Sequence, residues 1–254
     1  MAAVLYAFPA SHPCAVVERA LQLKDVPYRR VDMLPLVFPL LQRARFGSRT
    51  VPGIEFEDGA RVLGSRPIVR ALEERAPEPP LLPADAELRM RVERAEEWGD
   101  QVLQPLARRV IWAALRRSPG SLASYTEGAR LPVPLVLARV SAPLTALWGQ
   151  ARNRAGDANA RADLSALPFH LDRIDSWIGR GVMGGAQPNA ADLQIGASLA
   201  LLLTIGDLGP LLEPLVELAP GLVVPGAGAA VDALAALRDE AAVARTGPPL
   251  ELWH

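Results

Sequence analysis

The residues best suited to chemistry lie near the start of the chain, in Tyr6-Ala-Phe-Pro-Ala-Ser11-His-Pro-Cys14. A hydroxyl and the only thiol of the chain stand three residues apart there, where an apolar run gives way to Ala15-Val-Val-Glu-Arg-Ala-Leu21. That order reads as a buried strand, a tight turn and the first turn of a helix. A helix start leaves main-chain N–H groups unpaired and carries partial positive charge, so it favours anions, thiolates among them. Ser11 is placed to cap that helix and to donate a hydrogen bond to a bound sulfur. The chemistry implied is the holding and activation of a thiol. Cys14 is the second candidate, as a nucleophile whose pKa the helix start lowers. His12 reads as a solvent-facing residue of the first turn.

The rest of the composition narrows the alternatives. One cysteine excludes an intramolecular disulfide and a cysteine-only metal cluster. His12, His170 and His254 lack ligand spacing, so no metal is expected. A net charge of −1 on 254 residues argues against a nucleic-acid partner. Lys24 is the only lysine, so nearly all cationic charge is arginine, an imbalance that reads as compositional bias rather than as a site. The first residues, Met1-Ala-Ala-Val-Leu5, do not resemble a secretory signal. The apolar run at 195–206 stops at Asp207, short of the roughly 20 residues a membrane span needs. The expectation is a cytoplasmic protein without a membrane partner. Neither a Ser-His-Asp arrangement nor a phosphate-binding glycine loop is visible.

The elements that must position Ser11 follow from periodicity. Residues 3–8 form a short apolar strand, and residues 13–24 carry Val16, Val17, Ala20 and Leu21 at helical spacing. Residues 27–33 are strand-like, and residues 34–46, with Pro35 and Pro39, read as loop plus a short helix. Residues 50–56 and 61–63 flank Asp58-Gly59, a hairpin signal. Ser65 then caps a helix bearing Ile68, Val69 and Leu72 that stops at Pro77. The order is β-α-β-(α)-β-β-α. A proline-rich joint at 78–86 marks a domain boundary. Beyond it the pattern is helical, beginning with a stripe of Leu88, Val92, Ala95, Val102, Leu106 and Val110 on one long helix. Further helices are expected at 135–152, 164–178, 190–205 and 229–244, with Pro143 and Pro168 kinking or dividing two of them.

This pattern resembles the cytosolic glutathione transferase family, over most of the chain. The resemblance implies an α/β thioredoxin-like N-terminal domain at 1–77, a linker at 78–86 and an all-α helical-bundle domain at 87–254. Ser11-His-Pro-Cys14 stands where thioredoxins carry Cys-x-x-Cys and where serine-type or cysteine-type transferases carry their catalytic residue. With serine in the first position a disulfide cycle is unavailable, since it needs two thiols. Ser11 is thus the implied catalytic residue and Cys14 the alternative.

Three further positions carry the resemblance. Val51-Pro52 is similar to the family's Val-Pro with a cis proline, which turns main-chain groups toward the cysteinyl part of glutathione. Gly64-Ser65-Arg-Pro-Ile68 is similar to Glu/Gln-Ser-x-x-Ile, whose serine binds the γ-glutamyl carboxylate at a helix start. Gly64 departs from that pattern and leaves room for a thiol other than glutathione. Asn189-Ala-Ala-Asp192 resembles the family's capping box, a folding device. Arg108, Arg109 and Trp112 fall where relatives line the electrophile pocket, and suit an anionic or aromatic co-substrate. Arg49 stands where a ligand carboxylate is within reach.

The implied function is a transferase that activates glutathione, or another low-molecular-weight thiol, for attack on a small electrophile in detoxification. Thiol-dependent isomerase and dehalogenase chemistry need the same thiolate. The resemblance also implies a homodimer. The alternative, which Gly64 favours, is a non-catalytic protein that uses the fold to bind apolar ligands or partners.

Overall fold

The computed structural model describes residues 2–33, 38–126, 135–205 and 208. The first unit contains β1 (Ala3–Ala7), α1 (His12–Leu23), β2 (Tyr28–Asp32), α2 (Phe38–Phe46), β3 (Gly53–Glu55), β4 (Arg61–Leu63) and α3 (Ser65–Arg75). Its sheet order is β2-β1-β3-β4. β1 runs parallel to β2 and antiparallel to β3, with Leu5 opposite Arg30 on one side and Ile54 on the other. β1 is therefore central, and Ala3, Leu5 and Ala7 are buried in alternation along it. This is the thioredoxin-like arrangement.

The hairpin turn behaves as Asp58-Gly59 predicts. Gly59 adopts φ 81, which favours glycine, and Asp58 Oδ1 accepts the Ala60 N–H at 2.9 Å. Two expected caps differ. Ser11 occupies the N-cap position of α1, but its side chain makes no capping bond. At α3 the cap position belongs to Gly64, and Ser65 is the first helical residue. Its hydroxyl is drawn elsewhere, into a partnership with Gln194.

The remaining elements are helical. α4 (Ala86–Trp98) and α5 (Gln104–Arg117) belong to one helical rod, joined by a wider π-helical turn at Gly99–Leu103. Pro105 explains the widened turn, because it lacks an N–H and its ring crowds the carbonyl four residues back. The single regular stripe expected from Leu88 to Val110 breaks at this point, and Val102 is partly exposed while Leu103 is buried. α6 (Leu135–Asn153), α7 (Asp157–Gly179) and α8 (Ala190–Leu203) follow. Pro143 and Pro168 lie inside α6 and α7, which continue undivided. The helix expected at 229–244 lies outside the described residues.

α8 is apolar on almost every face because it is enclosed on almost every side. Among the described residues no helix is long and apolar enough to cross a membrane. α8 starts with the box read from sequence. Asn189 Oδ1 accepts the N–H groups of Ala191 and Asp192, and the Asp192 carboxylate accepts those of Asn189 (2.9 Å) and Gly184 (2.8 Å). Burial pushes the Asp192 carboxyl up to about 6, against the pull of those two donors. Asp192→Ala strands two donors at a buried helix start. It is expected to cost about 2–4 kcal/mol in urea unfolding, with Asp192→Asn recovering part of the loss.

The joint between the two units is clamped by Lys24. Its side chain is fully buried, with Nζ 2.5 Å from Glu73 Oε1, 2.6 Å from the Ala76 carbonyl and 3.0 Å from the Pro79 carbonyl. Glu73 in turn accepts the N–H groups of Leu81 and Leu82. One lysine and one glutamate thus satisfy the α3 end and the chain leaving it. Lys24 is thus a structural residue with three partners.

Candidate functional site

A cavity of about 350 Å3 opens between the sheet unit and the helices, a size ordinary for a small-ligand site. Its floor is the β1–α1 turn. Ala10 sits there at φ 57, a left-handed conformation uncommon for a residue with a side chain. That turn delivers Ser11 to the cavity wall, half-buried. Pro13 has no N–H, and the Cys14 and Ala15 N–H groups both return to the Ser11 carbonyl at 2.9 and 3.0 Å. The first turn of α1 therefore offers a ligand chiefly the His12 N–H and the Ser11 hydroxyl.

Two neighbours of Ser11 take roles that differ from the sequence reading. Cys14 is 1 % exposed and packs in the core. Burial pushes its thiol up to about 11, although the nearby Ser11 hydroxyl and Phe8 main chain pull it down. A thiol with that pKa is protonated near neutrality, so the low-pKa condition for a nucleophilic cysteine is not met. His12 is buried rather than solvent-facing. Burial and the charge of Arg108 hold it well below its usual value, despite a hydrogen bond with the Gln104 main chain. It is a neutral imidazole in the seam between the units.

The second wall comes from the hairpin side. The Val51–Pro52 bond is cis, and Thr50 and Val51 line the cavity. The Gly64 N–H donates to the Pro52 carbonyl at 2.9 Å, which ties the proline turn to the start of α3. Gly64 adopts φ 93 and ψ 146, a backbone state that side chains disfavour. Ser65 lines the same wall, 4 % exposed, and its hydroxyl donates to Gln194 Oε1 at 3.1 Å. Gln194 Nε2 then donates to Gln104 Oε1 at 3.0 Å and approaches Asp100 at 3.5 Å. A buried polar chain thus runs from the sheet unit through α8 to the π-helical turn. Burial raises the Asp100 carboxyl, with Arg66 and Arg108 opposing.

The third wall is helical, and it separates two adjacent arginines. Arg108 lines the cavity, whereas Arg109 turns away into a bidentate pair with Asp163, at 2.6 Å for both bonds. Trp112 also lines it, one turn along α5. Gly149 of α6 lets that ring pack closely, since a Cβ there would stand 2.1 Å from Trp112 Cε3. Arg49 lies at the rim, exposed, and its carbonyl accepts a hydrogen bond from Arg152 Nη2 at 3.4 Å.

Ser11, Val51, Ser65, Arg49, Arg108 and Trp112 are thus lining residues of one cavity, with Pro52 bonded behind it. Sequence reasoning missed Asp100, Gln104, Trp148 and Arg152 on the wall, and Gln194 behind it. Those residues carry no motif, and only packing brings them together. Among the described residues no cluster of His, Cys, Asp or Glu is arranged to hold a metal ion.

Comparisons with known proteins agree with the fold. Residues 5–80 match the family model for the glutathione S-transferase N-terminal domain. A glutathione S-transferase from Rhodospirillum rubrum F11 is similar at 24% identity and TM-score 0.57, over 87% of this chain and 90% of that one. The β-etherase LigF from Sphingobium sp. strain SYK-6 is similar at 20% identity and TM-score 0.59, over 81% and 86%. A glutathione S-transferase from Methylobacterium radiotolerans JCM 2831, in complex with glutathione sulfonate, is similar at 20% identity and TM-score 0.53, over 90% and 97%. No curated protein sequence matches the chain.

Proposed function

For a chain whose residues 5–80 match the glutathione S-transferase N-terminal domain model, and whose fold is similar to that of solved glutathione S-transferases, we propose an enzyme that binds glutathione or a related thiol. It activates that thiol for attack on a small electrophile. The observation that carries this reading is the convergence of Ser11, the Val51–Pro52 turn and Ser65 on one cavity, with the last two walls hydrogen-bonded to each other. The thiol's sulfur lies by the Ser11 hydroxyl and the His12 N–H, where a hydrogen bond and the helix start favour the thiolate. Main-chain groups of Val51 meet its extended backbone, and the start of α3 faces its carboxylate. The glutathione sulfonate held by the Methylobacterium structure supports glutathione as that thiol. The reading includes a homodimer at work in the cytoplasm.

The test is thermal stabilisation by glutathione and, in parallel, by other biological low-molecular-weight thiols. A ligand at 100 times its dissociation constant adds about 2.7 kcal/mol to stability. A shift with one thiol is expected, and no shift with any of them rejects the reading.

Two observations favour a second reading, a non-catalytic protein that binds apolar ligands in the same cavity. Gly64 has no side chain to hold a thiol's amine, and the Ser65 hydroxyl is committed to Gln194. An apolar fluorescent dye that stabilises the protein while no thiol does so selects this second reading.

A further inference from the structure

Several half-buried arginines outside the cavity meet carboxylates: Arg30 holds Glu18 and Asp32, Arg70 holds Glu96, and Arg109 holds Asp163. Arg49, Arg108 and Arg152 all line the cavity, and among the described residues none of them forms an ion pair. The lining holds one carboxylate, Asp100, and the Gln194 amide approaches it.

Two of those arginines lie within electrostatic range of each other. Burial lowers the pKa of the half-buried Arg108 of α5, the Asp100 charge opposes this, and the positive charge of Arg152 from α6 adds to the lowering. The Arg152 guanidinium lies 5.6 Å from the centre of the Trp148 ring, and Nη2 is fixed by the Arg49 carbonyl. A part-buried guanidinium that makes no ion pair is costly even with the Asp100 carboxylate in electrostatic range, and a second cation nearby adds to the cost. One anion between the two removes both penalties and gains charge-assisted hydrogen bonds. The neighbouring surface is flat and apolar, made by Trp112, Trp148 and Tyr125, whose own hydroxyl is already paired with Thr204 at 2.5 Å.

We propose that the co-substrate of this cavity is a flat apolar electrophile carrying an anionic group, a carboxylate in the simplest case. Arg108 and Arg152 hold the anion, and Trp112 and Trp148 hold the ring. The word electrophile rests on the transferase reading, while the anionic ring rests on the cavity wall alone. In the reaction the thiolate forms a C–S bond at the ring carbon bearing the leaving group. The leaving group departs with its bonding pair, and the thiol proton goes to solvent.

The binding test needs no thiol chemistry. Nitroaromatics quench tryptophan fluorescence, so 3-nitrobenzoate and the neutral 3-nitrobenzamide are titrated against the whole protein. Wild type is expected to bind the benzoate about tenfold more tightly or better, and saturating glutathione is expected not to displace it. The Arg108→Gln/Arg152→Gln variant is expected to bring the ratio of the two affinities to about one. Arg152→Gln alone, at an exposed position, is expected to reduce the ratio about threefold. Equal affinity of wild type for the two probes overturns the proposal, and so does displacement of the benzoate by glutathione.

A kinetic arm adds 4-chloro-3-nitrobenzoate and its amide as electrophiles, with chloride as the leaving group. Preference for the benzoate in kcat/KM supports the proposal, as long as the KM for thiol is unmoved in the double arginine variant. Preference for the amide opposes it. Benzoate binding without stabilisation by any thiol leaves the anion wall standing and defeats only the transferase reading.

Discussion

Ser11→Ala is expected to lower kcat/KM for thiol transfer about a hundredfold, while thiol binding changes little. The size follows from the chemistry asked of the hydroxyl. Lowering a bound thiol's pKa by about two units corresponds to roughly 2.7 kcal/mol of preference for the thiolate. A charge-assisted hydrogen bond next to a helix start supplies energy of that order. The neighbourhood leaves few substitutes. Pro13 has no N–H, and the Cys14 and Ala15 N–H groups are already taken by the Ser11 carbonyl. Cys14 is no reserve nucleophile, because burial keeps its pKa at about 11. Activity of Ser11→Ala/Cys14→Ala is therefore expected to equal that of Ser11→Ala. Titration of the bound thiolate by its ultraviolet absorbance reads the same effect directly: its pKa rises toward that of the free thiol in the variant. A variant with wild-type rate and unchanged titration removes Ser11 from the chemistry.

Lys24→Met is expected to produce the largest loss of stability of any single change at the joint, about 3–5 kcal/mol. The lysine side chain is fully buried, and its removal leaves Glu73 without its cation and the Ala76 and Pro79 carbonyls without their donor. Glu73 keeps the Leu81 and Leu82 N–H groups, so its carboxylate remains held in place, now uncompensated. Equilibrium unfolding in urea measures the loss, and the Lys24→Met/Glu73→Leu double variant completes the cycle. A coupling of about 1–3 kcal/mol is expected for two groups in direct contact. Additive effects from the two single changes show that the pair is not a clamp.

The share of this structure legible in sequence was the local share. Asp58-Gly59 specified its hairpin because a turn is decided by four residues and the φ that glycine permits. Asn189 and Asp192 specified the start of α8 because a capping box is complete within one turn. The element order through Arg75 was readable for the same reason. The break in the long helix had a visible cause in Pro105, which an apolar stripe read at a single period passes over. Ser65 was read as a cap, yet its hydroxyl partner lies 129 residues away on α8. His12 has polar chemistry and a helix-start position, and its burial depends on what α5 lays over it.

By itself, then, the sequence determined the strand–turn–helix that presents Ser11, the absence of a second thiol and hence of a disulfide cycle, and the order of elements around them. Those properties depend on neighbours along the chain. The tertiary structure alone decided which side chains meet in the cavity. Arg108 and Arg109 are adjacent and chemically identical, but consecutive helical residues point about 100° apart. One therefore faces the cavity, without an ion pair among the described residues, and the other is claimed by Asp163, a choice made by the rotation at which α5 packs against α6 and α7. No local pattern encodes that rotation, because it is the result of burying all the apolar faces at once.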